Sequence, residues 1–279
     1  VTFSLVARDA DGHTFGVATS SKYLAVGSTV PAVAAGVGAL ATQALTNVAY
    51  RERGLRSLRA GLTASRTVHA LVEADEDRDI RQVGVVAGTG LPAAWTGSAC
   101  WPDSGELVGD DCVAVGNFLA GEQVLSAMVE AFEEADGTLA RRLLAGLAAG
   151  QGAGGDRRGR QSAALLVASG EGVVRLRTKA RVDLRVDDHR HPVTELERLL
   201  TRFEVLVADP DTATAVPLDG PTARVVDEAL RTLGVVDGDL PTRLRAWAIT
   251  ENLNHLLLDG SADRLLLAEL RAHAADCAS

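Results

Sequence analysis

The chain has 279 residues, 47% of them hydrophobic and 23% charged, which supplies one large core and a smaller one and excludes disordered and fibrous classes. A formal net charge of -9 excludes general nucleic-acid binding, because no broad basic face exists to displace phosphate counterions. Cys100, Cys112 and Cys277 lack metal-ligand spacing, no apolar run nears the roughly 20 residues of a membrane helix, and Val1-Thr2-Phe3-Ser4 carries no export signal. These features predict a cytoplasmic protein with no membrane partner, no metal and no cofactor. Its thiols are expected to be reduced, with a Cys100–Cys112 bridge as the alternative.

Residues 2–7 and 14–19 are β-rich runs around the turn sequence Asp9-Ala10-Asp11-Gly12, so the chain opens with a hairpin. Residues 29–33 and 37–43 are further strand candidates, followed by the amides and hydroxyls of Thr42, Gln43, Thr46 and Asn47. Asn47 also stands where an N-cap is expected, before Tyr50, Leu55 and Leu58 on one helical face, and capping is its alternative role. Ser65 opens a second helix with Val68, Leu71 and Val72 inward. Residues 81–86 and 93–96 read as another hairpin, 101–105 as an irregular loop, and 112–115 as a strand ending in Gly116-Asn117. Two helices follow, over 122–135 and 139–147.

Residues 150–161, Gly-Gln-Gly-Ala-Gly-Gly-Asp-Arg-Arg-Gly-Arg-Gln, form a glycine-rich loop before the buried strand 162–168. Asp156 and the guanidinium groups of Arg157, Arg158 and Arg160 suit it to holding a small anion, since arginine forks grip carboxylate or phosphate in a bidentate way. A solvated loop with internal ion pairs is the alternative. Residues 173–186 alternate apolar and charged side chains, as a strand pair with one wet face does. Asp187-Asp188-His189 is a poor chelate, because adjacent strand residues point to opposite faces. An amphipathic helix over 193–203 closes a first domain, 1–205. The second domain, 206–279, is predicted to be a small all-α unit, with Pro221 opening a helix and Gly234 closing it. Its core would draw on Val225, Val226, Leu230, Leu233, Leu244, Trp247, Ile249, Leu253, Leu265, Leu266, Leu267 and Leu270. The order of hairpins and paired helices predicts an α+β fold, a four-layer αββα sandwich of two antiparallel sheets with helices outside.

The stretches Thr2-Phe3-Ser4-Leu5-Val6-Ala7-Arg8-Asp9, Lys22-Tyr23-Leu24-Ala25-Val26-Gly27, Ala41-Thr42-Gln43-Ala44-Leu45-Thr46-Asn47, Arg81-Gln82-Val83-Gly84-Val85-Val86, Gly116-Asn117-Phe118-Leu119-Ala120-Gly121, 154–165 and Arg185-Val186-Asp187-Asp188-His189 agree, in order, with one family. Together they resemble a bacterial family of unknown function that is itself similar to the N-terminal nucleophile (Ntn) hydrolases, over roughly the first three-quarters of the chain. The remainder resembles a small peptidoglycan-binding-like domain. The resemblance implies an Ntn-hydrolase-like sandwich with Thr2 as nucleophile and the Thr2 α-amine as base. That chemistry requires removal of Val1, because a peptide-bonded nitrogen has no basic lone pair.

The expected function is hydrolysis of a small carboxylate-bearing amide, with Thr2, Lys22, Asn117 and Asp156 as catalytic residues. Asn117 supplies an oxyanion donor, Asp156 an orienting carboxylate, and Lys22 lowers the nucleophile's pKa or meets a substrate carboxylate. Substrate binding is assigned to Arg157, Arg160, Gln43, Asn47 and Ser162. The alternative is a non-catalytic protein that keeps the fold and binds an anionic metabolite. With no export signal and few aromatic residues to stack on sugars, the second domain is expected to serve packing or self-association in a homodimer.

Overall fold

In the computed structural model, which describes residues 2–170 and 181–278, contacts divide the chain into two units, Val1–Leu200 and Thr201–Ser279. The opening hairpin pairs β1 (Thr2–Arg8) with β2 (Phe15–Ser21), and Asp11 tightens its turn by accepting from the His13 and Thr14 amides. β3 (Pro31–Ala34) and β4 (Gly38–Ala44) lead into α1 (Ala49–Arg59) and α2 (Ala64–Glu73). β5 (Arg81–Ala87), β6 (Ala93–Thr96), β7 (Gly105–Val108) and β8 (Cys112–Asn117) follow. The unit continues with α3 (Gln123–Glu134), α4 (Leu139–Gly152), β9 (Ser162–Ala168), β10 (Arg181–Val186) and the start of α5 (Pro192–Val207), the helix in which the division falls.

The strands form two antiparallel sheets, one of six in the order β10-β9-β2-β1-β8-β7 and one of four in the order β3-β4-β5-β6. Helices α3 and α4 pack on the first, α1 and α2 on the second, and the sheets meet through β1, β2 and β8 against β3, β4 and β5. The two-residue period of β1 explains this layering. Phe3 and Leu5 face α4, close to Gly150 and Gly146, whereas Val6 joins Val17, Val113, Val115, Ala41 and Val86 between the sheets.

Several boundaries differ from those predicted. Helix α2 starts at Ala64 because Thr63 caps it, accepting from the Arg66 amide, so Ser65 lies inside the helix. Helix α4 runs on to Gly152 and takes the first residues of the predicted loop, since Gly150 packs where a Cβ would sit 2.5 Å from the Met128 side chain. Edge strand β7 was concealed by three exposed positions out of four. Of the predicted pair over 173–186, residues 181–186 are β10, paired with β9, and 173–180 lie outside the described residues. Cys100 and Cys112 are free thiols, and burial, with the Glu133 carboxylate adding to it, pushes the Cys112 thiol up to about 12.

The second unit contains β11 (Val216–Pro217), α6 (Gly220–Thr232), α7 (Leu240–Thr250), β12 (Leu257–Leu258), β13 (Ser261–Ala262) and α8 (Arg264–Ala278). The three two-residue strands form a small sheet in the order β11-β13-β12, so the unit is not purely helical; Asp259-Gly260, with Gly260 at φ 65°, turns β12 into β13. Its core holds Val226, Leu230, Leu244, Trp247, Leu253, Leu266 and Leu270. Val225, Ile249 and Leu265, expected in that core, are exposed because each lies beside the inward stripe of its helix. Among the described residues no helix is long and apolar enough to cross a membrane.

Candidate functional site between the sheets

The layer between the sheets changes character along β1. At the Val6 end it is apolar, and at the Thr2 end it holds Thr2, Ser4, Thr19, Ser21, Gln43, Gln82 and Asn117, none more than 5% exposed. Such a concentration of buried polar groups is costly unless each finds a partner, so its bonding can be followed group by group. Thr2 lies opposite Asn117 of β8, and its Oγ1 donates to Ser21 Oγ of β2 at 3.2 Å. Ser4 Oγ is 2.6 Å from Gln43 Oε1 and 2.8 Å from Thr19 Oγ1.

Two glutamines of the four-stranded sheet hold this end together. Gln43 Nε2 donates towards the Thr2 carbonyl (3.0 Å), the Val115 carbonyl (3.2 Å) and Gln82 Oε1 (2.7 Å). Gln82 Nε2 in turn reaches the Gly116 carbonyl (2.8 Å), the Gly105 carbonyl (3.1 Å) and Thr96 Oγ1 (2.9 Å). Asn117 Nδ2 donates to Gln82 Oε1 at 2.9 Å, leaving one N–H, while Asn117 Oδ1 is buried with no partner among the described residues. An acceptor without a protein partner inside an otherwise bonded network is free to take a hydrogen bond from water or a ligand. Ala44 (φ 69°) and Phe118 (φ 54°) take left-handed backbone directly after Gln43 and Asn117, a conformation costing about 1 kcal/mol or more for a non-glycine residue, and turn the chain away once each amide is placed.

The loop 153–161 crosses this end of the sheet. On one side it is zipped to the segment after Asn117, through Ala120 N–H to the Gly155 carbonyl (3.0 Å) and Arg157 N–H to the Phe118 carbonyl (3.1 Å). On the other side Asp156 Oδ2 accepts from the Lys22 amide at 2.8 Å and Gln161 N–H donates to the Ser21 carbonyl at 3.1 Å. Since β2 and β8 flank β1, the loop spans the strand end that carries Thr2. Gly155 (φ 57°) permits the bend, and a Cβ there would sit 3.0 Å from the Phe3 ring. Asp156, 3% exposed, also takes the Arg158 amide (2.9 Å) and guanidinium (3.0 Å), so it anchors the loop and does not touch Thr2 among these bonds.

The remaining predicted residues divide clearly. Ser162 Oγ accepts from the Val26 amide at 3.0 Å and donates to the Tyr23 carbonyl, fastening the segment after β2. Lys22 is exposed, with Nζ 3.4 Å from the Arg160 carbonyl, and among the described residues the exposed Arg160 guanidinium has no partner. Arg157 is paired with Asp103 at 2.7 Å. Asn47 is not part of this cluster. Its Oδ1 accepts from the Ala49 amide at 3.1 Å and its Nδ2 donates to Asp75 at 2.8 Å, so its contacts are those of a helix-start residue. Ser21 and Gln82 were not picked out from sequence, although Gln82 had a signal: a polar residue on the inward parity of an apolar strand, two before Gly84. Among the described residues no group of three His, Cys, Asp or Glu side chains is placed to hold a metal ion.

Residues 2–196 match a family described as a family of unknown function, DUF1028. The chain belongs to this family. The crystal structure of protein SPO2555 from Silicibacter pomeroyi, described as DUF1028 as well, is 32% identical, covers 80% of this chain and 92% of that one, and superimposes with a TM-score of 0.65. No curated protein matches the chain. The DUF1028 match takes in β1 to β10 and the start of α5, and with them every residue of the inter-sheet polar cluster.

Proposed function

We propose that this DUF1028 protein is an amidohydrolase of Ntn type, acting on a small carboxylate-bearing amide with Thr2 as nucleophile. The reading takes its helix–sheet–sheet–helix layers as the αββα sandwich of those enzymes. The observation that carries it is the Thr2 hydroxyl at the rim of a buried polar cluster, beside an Asn117 amide with an orphan oxygen and an unused N–H. The peptide bond on the N-terminal side of Thr2 must first be cleaved, so that the α-amine becomes a base. Thr2 Oγ1 then attacks the substrate carbonyl carbon while the amine takes its proton, and the carbonyl electron pair moves to oxygen. The second Asn117 N–H stabilises that oxyanion. Collapse expels the leaving amine, protonated by the Thr2 ammonium, and leaves an ester on Thr2. Water, deprotonated by the same amine, attacks the ester and frees the hydroxyl.

In this scheme Gln43, Asp156 and Ser162 are positioning residues, holding the Thr2 carbonyl, the Arg-bearing loop and the segment after β2. Lys22 and Arg160 receive the substrate carboxylate, and Arg157 joins them by exchanging Asp103 for it. The test is turnover of a panel of N-acyl amino acids and ω-amides by the wild type and Thr2→Ala. The expected result is loss of turnover in the variant; equal turnover removes Thr2 from the mechanism.

A second reading, binding of an anionic metabolite without chemistry, is favoured by one observation, the exposed Arg160 guanidinium without a partner among the described residues, on a residue whose carbonyl lies 3.4 Å from Lys22 Nζ. Intact mass and N-terminal sequencing separate the two: a free Thr2 amine supports hydrolysis, and a uniformly blocked one supports binding. For binding alone, Arg160→Ala abolishes ligand-dependent thermal stabilisation with the fold intact. For the second unit, which resembles a peptidoglycan-binding-like domain, we propose self-association into a homodimer.

A further inference from the structure

A second site lies away from the Thr2 cluster, along the outer side of β3. This strand is one edge of the four-stranded sheet, and it contacts β9, next to β10 at the edge of the six-stranded sheet. Two cavities of about 380 and 390 Å³ follow it. Both are lined by Val33 and Leu166, so they adjoin, and each is within the size range of small-molecule pockets. Leu55 adds to the apolar wall of one and Val182 to that of the other.

One end of this trough is cationic. Arg51 of α1 and Arg185 of β10 both line it. Arg185 is held in place, its stem against Gly27, where a Cβ would sit 3.2 Å from its Cγ, and its guanidinium on Asp183 at 2.8 and 3.2 Å. Arg51 has no ion-pair partner among the described residues. Its Nη1 donates to the Ser28 carbonyl at 2.6 Å, and its Nε is buried with no acceptor among the described residues. Asp183, which pairs with Arg185, does not line the trough, and the lining acid Glu52 is engaged by Arg56, so among the described residues neither carboxylate pairs with Arg51. Burial, and after it the like charge of Arg185, disfavours the protonated Arg51. An anion placed at Nε would relieve both the missing bond and the excess charge.

We propose that this groove binds an amphipathic carboxylate, its alkyl chain lying along β3 between Val33 and Leu166 and its head group on Arg51. The proposal is independent of hydrolysis at Thr2. It is tested by calorimetry on the full chain with decanoate, decanol and acetate, which separate head group from chain. Decanoate is expected to bind about 10-fold more tightly than decanol, the worth of one charge-assisted hydrogen bond, and acetate more weakly than either. Arg51→Met, which keeps the apolar stem, is expected to bring decanoate to the decanol level and leave decanol unchanged. Val33→Glu, on the partly exposed edge strand, is expected to weaken both, and Thr2→Ala neither. Absence of decanoate binding, equal affinity for decanoate and decanol, or full binding by Arg51→Met with its melting temperature unaltered overturns the proposal. Loss of decanoate binding in Thr2→Ala also overturns it, because the carboxylate would then occupy the other site.

Discussion

Gln82 shows how much one buried side chain carries. It accepts from Gln43 and Asn117 and donates to the carbonyls of Gly105 and Gly116, so it joins both sheets beneath Thr2. Gln82→Leu keeps the volume but strands two carbonyls and two amide groups, and is expected to cost at least about 2 kcal/mol, read by urea unfolding. A cost of a few tenths would mean that water replaces the glutamine. Asp75 gives a pH signature at the same scale. Burial raises its pKa, but the Asn47 amide, the neighbouring Tyr50 hydroxyl and the Arg81 guanidinium outweigh that and hold the carboxyl at about 2. A folded pKa below the unfolded value makes the ionised form stabilising, so the contribution is complete above about pH 4 and is lost as pH falls towards 2. The wild type should therefore exceed Asp75→Asn by about 2 kcal/mol at pH 6, and the gap should close by pH 2; a gap unchanged across that window refutes the assignment.

The pairing of α3 with α4 depends on a glycine at the element scale. In an open helix Gly→Ala gains about 1 kcal/mol from propensity. At Gly146, however, a Cβ would meet the Met128 carbonyl at 2.7 Å and Leu5 Cδ2 at 2.6 Å, and a backbone oxygen cannot swing aside. The clash wins, and Gly146→Ala is expected to destabilise by about 1–3 kcal/mol in denaturant unfolding. Thr138→Ala at the start of the same helix removes the cap on the Arg141 amide and should cost about 1 kcal/mol. Stabilisation by Gly146→Ala would show that the helices can separate freely. The hairpins and helices were legible from local patterns because their periods are strong. Strand β7 and the end of α4 were not, since a strand with three exposed residues has no alternation and Gly150, inside the last turn of α4, is retained by packing against Met128.

For the whole molecule, each unit has its own buried core, and the second carries Trp247 inside it against His273, with ring centroids 5.7 Å apart. A tryptophan enclosed in that way is not a sugar-stacking platform. Light scattering on the full chain is expected to give twice the 29.1 kDa chain mass, and pull-down on purified peptidoglycan is expected to leave the protein in the supernatant. A monomer, or retention on the glycan, reverses the assignment of the second unit.

The sequence by itself determined the α+β class, the order of most elements of the first unit and the loop that crosses the site, because apolar period, turn residues and glycine placement are local properties. It also marked Thr2, Asn117 and Gln43, each at the end of a strand. Only the tertiary structure decided which of the polar strand ends face one another. Gln82 and Ser21 joined the cluster through strand register, and the Asn47 side chain left it by bonding the Ala49 amide and Asp75. It likewise placed Asp156, expected beside Thr2, as the anchor of its loop. Contacts between residues far apart in the chain depend on register and sheet packing, and neither can be read from any single stretch of sequence.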